Sequence, residues 1–256
     1  MGRCLQSTDM ALMTLQRRVL PERLDAMAAD DPLARRSRRD LQRIHRAMRS
    51  LKILSEAVGM LGMAQQPRRI LELGAGDGSL MLRFARSLRP RWRDVEVTFL
   101  DREDLVGSAT RSHFDLLGWR VRVLEQDALD WARASPAQHY DLGVATLFLH
   151  HFESPALAVL LRAVAARCRN FVACEPRRNG FAWAGSRLLG LLGANEVTRE
   201  DGVTSVIAGF SGQELSAHWP PGGSGGWLRE YFAWPFTHCF VAGSGGGTDR
   251  DADEVH

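Results

Sequence analysis

The sequence predicts a doubly wound α/β domain, with a mostly parallel seven-stranded sheet, helices on both faces and an N-terminal helical cap. Three observations carry this. Short β-rich runs at 69–74, 96–101, 121–127, 141–148 and 171–176 alternate with helical stretches at 79–89, 104–117 and 154–169, the pattern of βαβ units. A tight glycine turn follows the first strand, and acids fall at or near the ends of the first three strands. Two more runs, 227–233 and 236–242, flank Pro235 and suit an antiparallel pair closing one sheet edge.

The elements divide the chain into a cap over 1–66, a main domain over 67–242 with an insertion at 177–210, and a Gly/Ser-rich then acidic tail over 243–256, expected to be disordered. Before residue 69 the pattern is helical, punctuated by Pro21, Pro32 and Pro67. Leu41, Ile44, Met48, Leu51 and Leu54 recur at helical spacing, and Arg35, Arg36, Arg38, Arg39, Arg43, Arg46 and Arg49 fall between them. Residues 1–69 therefore carry a net charge of +7 within a chain of +3. No aromatic residues interleave for base stacking, so a solvated helix face is expected and nucleic acid is not. Beyond Pro176, residues 181–193 read as an apolar helix that interrupts the alternation, and 211–219 as a short helix.

Composition sets outer bounds. Apolar residues make up 45% and charged residues 25% of the 256 positions, sufficient for a packed core. No apolar run is long enough to span a bilayer. The N-terminus lacks a secretory signal pattern, and Gln6 breaks a myristoylation motif, so a cytoplasmic protein is expected. Cys4, Cys168, Cys174 and Cys239 show neither CxxC spacing nor a metal-ligand rhythm with the histidines.

The chemistry concentrates around Ile70-Leu71-Glu72-Leu73-Gly74-Ala75-Gly76-Asp77-Gly78. Glycines let the backbone turn sharply and let a ligand approach without Cβ interference, and Ser79 is placed to cap the next helix. Asp101 closes the second strand and is spaced to accept hydrogen bonds from ribose hydroxyls, with Arg102 beside it. Asp127, followed by Ala128 and Leu129, is expected to end the third strand at the same rim. A dinucleotide is the rival ligand. Its G-x-G-x-x-G pattern fails here, because Gly78 comes one place early and Ser79 takes the last glycine position. Glu72 and Asp77 also disfavour a pyrophosphate near the helix start.

These residues resemble class I S-adenosylmethionine (SAM)-dependent methyltransferases over about residues 68–176, a Rossmann-like family. The resemblance implies SAM as cofactor. It places Glu72 near the methionine end, Gly74, Ala75, Gly76 and Gly78 around the cofactor, Asp101 with Arg102 at the ribose, and Asp127 with the Ala128 and Leu129 backbone at the adenine. The fourth strand, with Ala145 near its end, would face the methyl group. His150 and His151 follow it, and an imidazole there is suited to deprotonate a phenol or enol; His151 matches a His-rich turn of several small-molecule enzymes. Packing histidines are the plainer reading.

Absences narrow the acceptor. No Asn/Asp-Pro-Pro-Tyr/Phe follows the fourth strand, no Pro-Cys supplies a thiolate, and no Asp-Asp-Asn set calls for a metal. Phe181, Trp183, Leu188, Leu189, Leu191 and Leu192 suggest a lid over an apolar or aromatic acceptor, with core packing or a homodimer face as alternatives. Tyr231, Trp234, Phe236 and His238 are further candidate wall residues. Glu175, Arg177 and Arg178 are candidates to meet a polar acceptor group, against a plain ion cluster. The stretch 152–240, with Phe171–Arg178 and Asn195–Arg199, resembles bacterial methyltransferases of polyketide and quinone-type metabolism. O-methylation of a phenolic or polyketide-derived hydroxyl is expected. C-methylation of a quinone-type ring, a macromolecular acceptor and non-catalytic SAM binding stay open.

Overall fold

The computed structural model describes residues 16–89, 91–135 and 138–244. Seven strands form one sheet: β1 (Arg69–Leu73), β2 (Val95–Asp101), β3 (Trp119–Glu125), β4 (Leu142–Thr146), β5 (Phe171–Pro176), β6 (Trp227–Ala233) and β7 (Thr237–Gly243). Their order is β3-β2-β1-β4-β5-β7-β6. The first five strands run parallel, and β7 pairs antiparallel with both β5 and β6. The expected closing pair therefore forms at the edge. The order reverses between β1 and β4, so the ligand crevice of a doubly wound sheet falls beyond their carboxyl ends.

The helices are α1 (Pro32–Ala47), α2 (Ser50–Met60), α3 (Ser79–Ser87), α4 (Ser108–Leu116), α5 (Ala128–Arg133), α6 (Ser154–Arg167), α7 (Gly180–Arg187) and α8 (Glu196–Ala208). Strand alternation sends Ile70, Val97, Phe99 and Val144 to one face, against Leu54 of α2, Phe84 of α3 and Phe114 of α4. Leu71, Leu73, Leu100 and Ala145 face the other way, against Trp131 of α5, Leu160 and Leu161 of α6, and Trp219. Trp219 stacks on Phe171 with centroids 5.6 Å apart.

Several expected boundaries move, each for a local reason. The helical pattern through 35–54 breaks at Arg49, whose φ of 58° turns the chain so that α2 can pack on the sheet. Gly118, at φ 74°, ends α4 and lets β3 begin at Trp119. Asp127 does not end β3. Its carboxylate caps α5, a helix the pattern did not predict, by accepting the Leu129 and Asp130 N–H groups. Ser79 does not cap α3 either; Asp77 Oδ1 accepts its N–H at 3.0 Å. The expected helix over 181–193 splits into α7 and a 3-10 turn at Leu189–Leu192, and 211–219 contains only a 3-10 turn at Ser216–His218. The tail from 245 onward lies outside the described residues, and Gly243 belongs to β7.

The cap is fastened to the insertion by polar groups. Asp31 caps α1, accepting from Leu33 and Ala34 N–H with Pro32 in the first turn. On its inward face Asp40 accepts the Asn195 N–H at 2.8 Å, and Ser37 Oγ lies 2.9 Å from Asn195 Nδ2. Asp40 also takes Arg43 at 2.8 Å, which balances the buried charge. Arg35, Arg36, Arg39, Arg43, Arg46 and Arg49 are exposed or half-buried.

Candidate active site

A cavity of about 920 Å³ opens at the carboxyl ends of β1, β2 and β4. The loop after β1 forms its floor. Gly74 adopts φ 66°, and a Cβ there would come within 2.2 Å of the Phe148 ring. Gly78 adopts φ 69° as the residue before α3, with the Phe99 ring 3.1 Å from where a Cβ would lie. Both positions exclude a side chain through conformation and space. Asp101 Oδ2 accepts the Gly76 N–H at 2.8 Å, so the second strand's acid fixes the loop of the first. Asp77 is committed on both oxygens, Oδ1 to Ser79 and Oδ2 to Gln42 Nε2 at 2.6 Å, tying the loop to the cap.

Glu72 lines the same cavity but is 4% exposed, and its Oε2 is buried without a hydrogen-bond partner. Burial, and then the charges of Asp77 and Asp101, hold its carboxyl well above the ordinary range. A buried oxygen without a partner, on a residue that lines the cavity, is suited to a cationic ligand group.

Among the predicted cofactor residues, Glu72, Gly74, Ala75, Gly76, Asp101, Arg102, Asp127 and Ala128 line the cavity. Gly78, Leu129 and Ala145 do not. Gly78 shapes the turn from behind, Leu129 packs partly buried on the core, and Ala145 is fully buried within β4. Thr146 and Leu147 reach the cavity from β4 instead, and Leu147 turns the chain at φ 53°, a strained value for a non-glycine residue.

That turn delivers His150 and His151. Glu175, fully buried at the end of β5, accepts the N–H groups of Phe148 at 3.0 Å, Leu149 at 2.9 Å and His150 at 3.3 Å, and holds His150 Nδ1 at 2.8 Å. Burial pushes its pKa up, but the His150 bond and charge, then the backbone donors, bring it below normal. Glu175 thus positions the histidine turn and does not reach an acceptor. Arg178 is likewise committed, to Glu214 and the Gly209 carbonyl, and Arg177 lies 3.8 Å over the Phe232 ring. None of these three lines the cavity, so the expected polar contact is replaced by structural anchoring.

A residue that sequence spacing did not suggest completes the cluster. Glu22, on the segment entering the cap, sits 3.3 Å from His150 Nε2 and 3.4 Å from His151 Nε2. Asp25 is 3.7 Å from His151 Nε2. Five hydrogen bonds lock this segment: Ser205 Oγ donates to Glu22, Asp201 accepts the Arg23 and Leu24 N–H groups, and Arg17 donates to the His150 and Phe152 carbonyls. Burial would raise the Glu22 pKa, yet hydrogen bonds and charge from both histidines drive it well below the carboxylate range. His151 Nδ1 faces the Phe148 carbonyl at 2.9 Å. Burial lowers the His151 pKa, but Glu22, followed by Asp25 and Phe148, lifts it to about 9. His150 is 2% exposed and engaged at both nitrogens, whereas the His151 side chain is 24% exposed.

The opposite wall is the insertion. Leu188, Leu189, Leu191 and Leu192 line the cavity, as does Phe236; Tyr231, Trp234 and His238 do not. His238 instead pairs with Glu230 at 2.6 Å. Phe181 and Leu191 are 62% and 83% exposed. The four leucines thus form part of the cavity wall.

A Rossmann-like sheet whose switch-point crevice holds a glycine loop, a ribose-spaced acid and an unpartnered carboxylate defines an enzyme of the nucleoside-cofactor type. Residues 70–170 match the family model described as a methyltransferase domain. Solved structures of low identity share the fold. The plantazolicin methyltransferase BpumL, in complex with a monoazolic desmethylPZN analog and SAH, is 13% identical, with a TM-score of 0.61 over 93% of this chain and 99% of that one. An O-methyltransferase family protein from Burkholderia thailandensis is 17% identical, with a TM-score of 0.59 over 94% of this chain and 70% of that one. The plantazolicin methyltransferase BamL, in complex with a triazolic desmethylPZN analog and SAH, is 13% identical with a TM-score of 0.59 over 93% and 99%. No curated protein matches the sequence. Residues 70–170 carry the methyltransferase domain, within the fold that these structures share. Among the described residues no helix is long and apolar enough to cross a membrane.

Proposed function

We propose that the enzyme transfers the SAM methyl group to a hydroxyl of an apolar or aromatic small molecule, of phenolic or polyketide type. The observation that carries this is one cavity lined both by the Gly74–Asp77 loop and by His151, with a leucine wall from the insertion between them and solvent. Methyl transfer is an in-line displacement at a carbon already activated by the sulfonium, so the protein's work is to position the acceptor and manage its oxygen's charge. Glu72 would face the cofactor's amino-acid end and Asp101 its ribose. His151 is the member of the histidine cluster open to an acceptor, while His150 and Glu22 hold it in place. BpumL, which shares this fold and was solved with SAH and a monoazolic desmethylPZN analog, supports a small-molecule acceptor.

The test is incubation with labelled SAM and a panel of phenols and polyketide-derived enols, with the product identified by mass spectrometry and NMR. An O-methyl product is expected, and a ring C-methyl product would overturn the oxygen assignment. His151→Ala should lower kcat roughly 10²–10⁴-fold while the Kd for SAM stays within about threefold. Unchanged turnover would remove His151 from the acceptor end.

A further inference from the structure

The histidine cluster holds more acceptor atoms than donors. The Phe148 carbonyl can only accept, so His151 Nδ1 must carry the proton of that 2.9 Å bond. Glu175 accepts three backbone N–H groups and sits 2.8 Å from His150 Nδ1. A carboxylate in that role makes His150 Nδ1 a donor too. Both Nε2 atoms are then lone pairs in the neutral rings. Both point at Glu22, whose carboxylate is itself an acceptor, at 3.3 and 3.4 Å.

Three lone pairs converging in a largely buried space need positive charge between them. A proton on one ring satisfies only one of the two Nε2–Glu22 contacts, and a second proton would make two imidazolium rings with centroids 4.2 Å apart. One divalent cation supplies the same charge in one place. We propose that Glu22, His150 and His151 form a binding site for a single divalent cation of the zinc class, with an open coordination position facing the cavity for the acceptor oxygen.

The geometry fits this chemistry. One ligand atom from each of the three residues lies within 4.8 Å of the others. Tetrahedral N/O coordination at roughly 2.0–2.1 Å places ligand atoms about 3.3 Å apart; His150 Nε2 lies 3.3 Å from Glu22 Oε1 and His151 Nε2 lies 3.4 Å from Glu22 Oε2. Each imidazole donates its second nitrogen to a fixed oxygen, Glu175 for one and the Phe148 carbonyl for the other. Such outer bonds set the tautomer and orientation of metal-bound histidines. Glu22 is oriented in turn by the Ser205 hydroxyl. Two imidazoles and one carboxylate favour zinc, cobalt or nickel over magnesium or calcium. Asp25, 3.7 Å from His151 Nε2, stands at the edge of the open position. Arg17 is occupied by the Ala208, His150 and Phe152 carbonyls, and Arg102 by Asp25, so neither cation fills the gap. The inference deepens the proposed function by assigning the acceptor oxygen's partner, and it rests on that placement of the acceptor.

The experiment uses the full, untagged chain, stripped of metal with a chelator. Zn²⁺ is titrated by calorimetry and Co²⁺ is followed by its visible d–d absorption. One equivalent should bind, with the intense bands of a tetrahedral N/O site. Glu22→Gln and His151→Ala should each weaken binding at least tenfold, with SAM affinity reporting that each variant is folded. Ser205→Ala offers a milder perturbation, with a smaller weakening, should either variant fail to fold. Absence of saturable one-to-one binding, or wild-type affinity in all three variants, overturns the site. Methyl transfer by metal-free protein without cation binding would overturn the cation and leave the proposed function standing. Cation binding without methyl transfer to any hydroxyl would do the reverse.

Discussion

Replacing Asp101 by Ala removes a carboxylate with one observed role and one proposed role, and their sizes can be separated. In the free enzyme Oδ2 accepts the Gly76 N–H at 2.8 Å. A carboxylate has acceptor capacity for about four hydrogen bonds, which leaves room for both hydroxyls of a ribose. Hydrogen bonds to charged groups contribute about 1.5–3 kcal/mol each, but they share one carboxylate and water refills the space. A net loss of about 2–3 kcal/mol follows, or roughly 30–150-fold in Kd. Asp101→Asn keeps the shape and loses the charge, so a loss near tenfold is expected. Calorimetric titration with both SAM and SAH is the assay. The ribose is common to the two, so both affinities should fall by the same factor. A change below threefold, or a loss confined to SAM, would refute a ribose role for Asp101.

Two further perturbations test the supports of the site. Glu175→Gln keeps one carbonyl but turns an amide towards donors that now meet a carboxylate, and should destabilise the fold by about 2–4 kcal/mol; urea unfolding showing less than about 0.5 kcal/mol would contradict the anchoring role. Glu72 should make SAM binding pH-dependent. Its folded-state pKa lies above the ordinary value, so in the free enzyme its stabilising contribution is complete below the unfolded carboxyl value and is lost as pH rises through the folded one. A cationic ligand reverses that trend by lowering the pKa, so SAM binding should release protons and tighten as pH rises through this range. Calorimetry in buffers of different ionisation enthalpy should show the release in the native enzyme and none in Glu72→Gln; equal heats after buffer correction in both proteins would sink the linkage.

The strands and the glycine loop were legible because their signals are local. Ile70 to Leu73 reads as a buried run, the glycines follow directly, and Asp101 closes the next strand, whereas Asp127 caps α5 beyond the third. Legibility failed where polar residues are buried by distant partners. Ser37 and Asp40 interrupt the apolar stripe of α1 because they face Asn195 in the insertion. Thr198 and Asp201 are buried on α8, so that helix shows no amphipathic stripe. Glu175 and Arg178 read either as partners of a polar acceptor group or as an ion cluster, and each is buried with hydrogen bonds to groups more than 20 residues away.

The amino-acid sequence by itself determined the glycine-loop end of the cavity: a strand, a turn that only small residues can make, and an acid at the end of the neighbouring strand. Periodicity and steric rules act over a few residues, so one segment suffices to read them. The histidine end was decided by the tertiary structure alone. Glu22 reaches His150 across 128 positions, and the leucine wall meets the loop only once α8 is clamped to the cap. Those contacts depend on burial and on hydrogen bonds between remote segments, which have no spacing in the chain from which to read them.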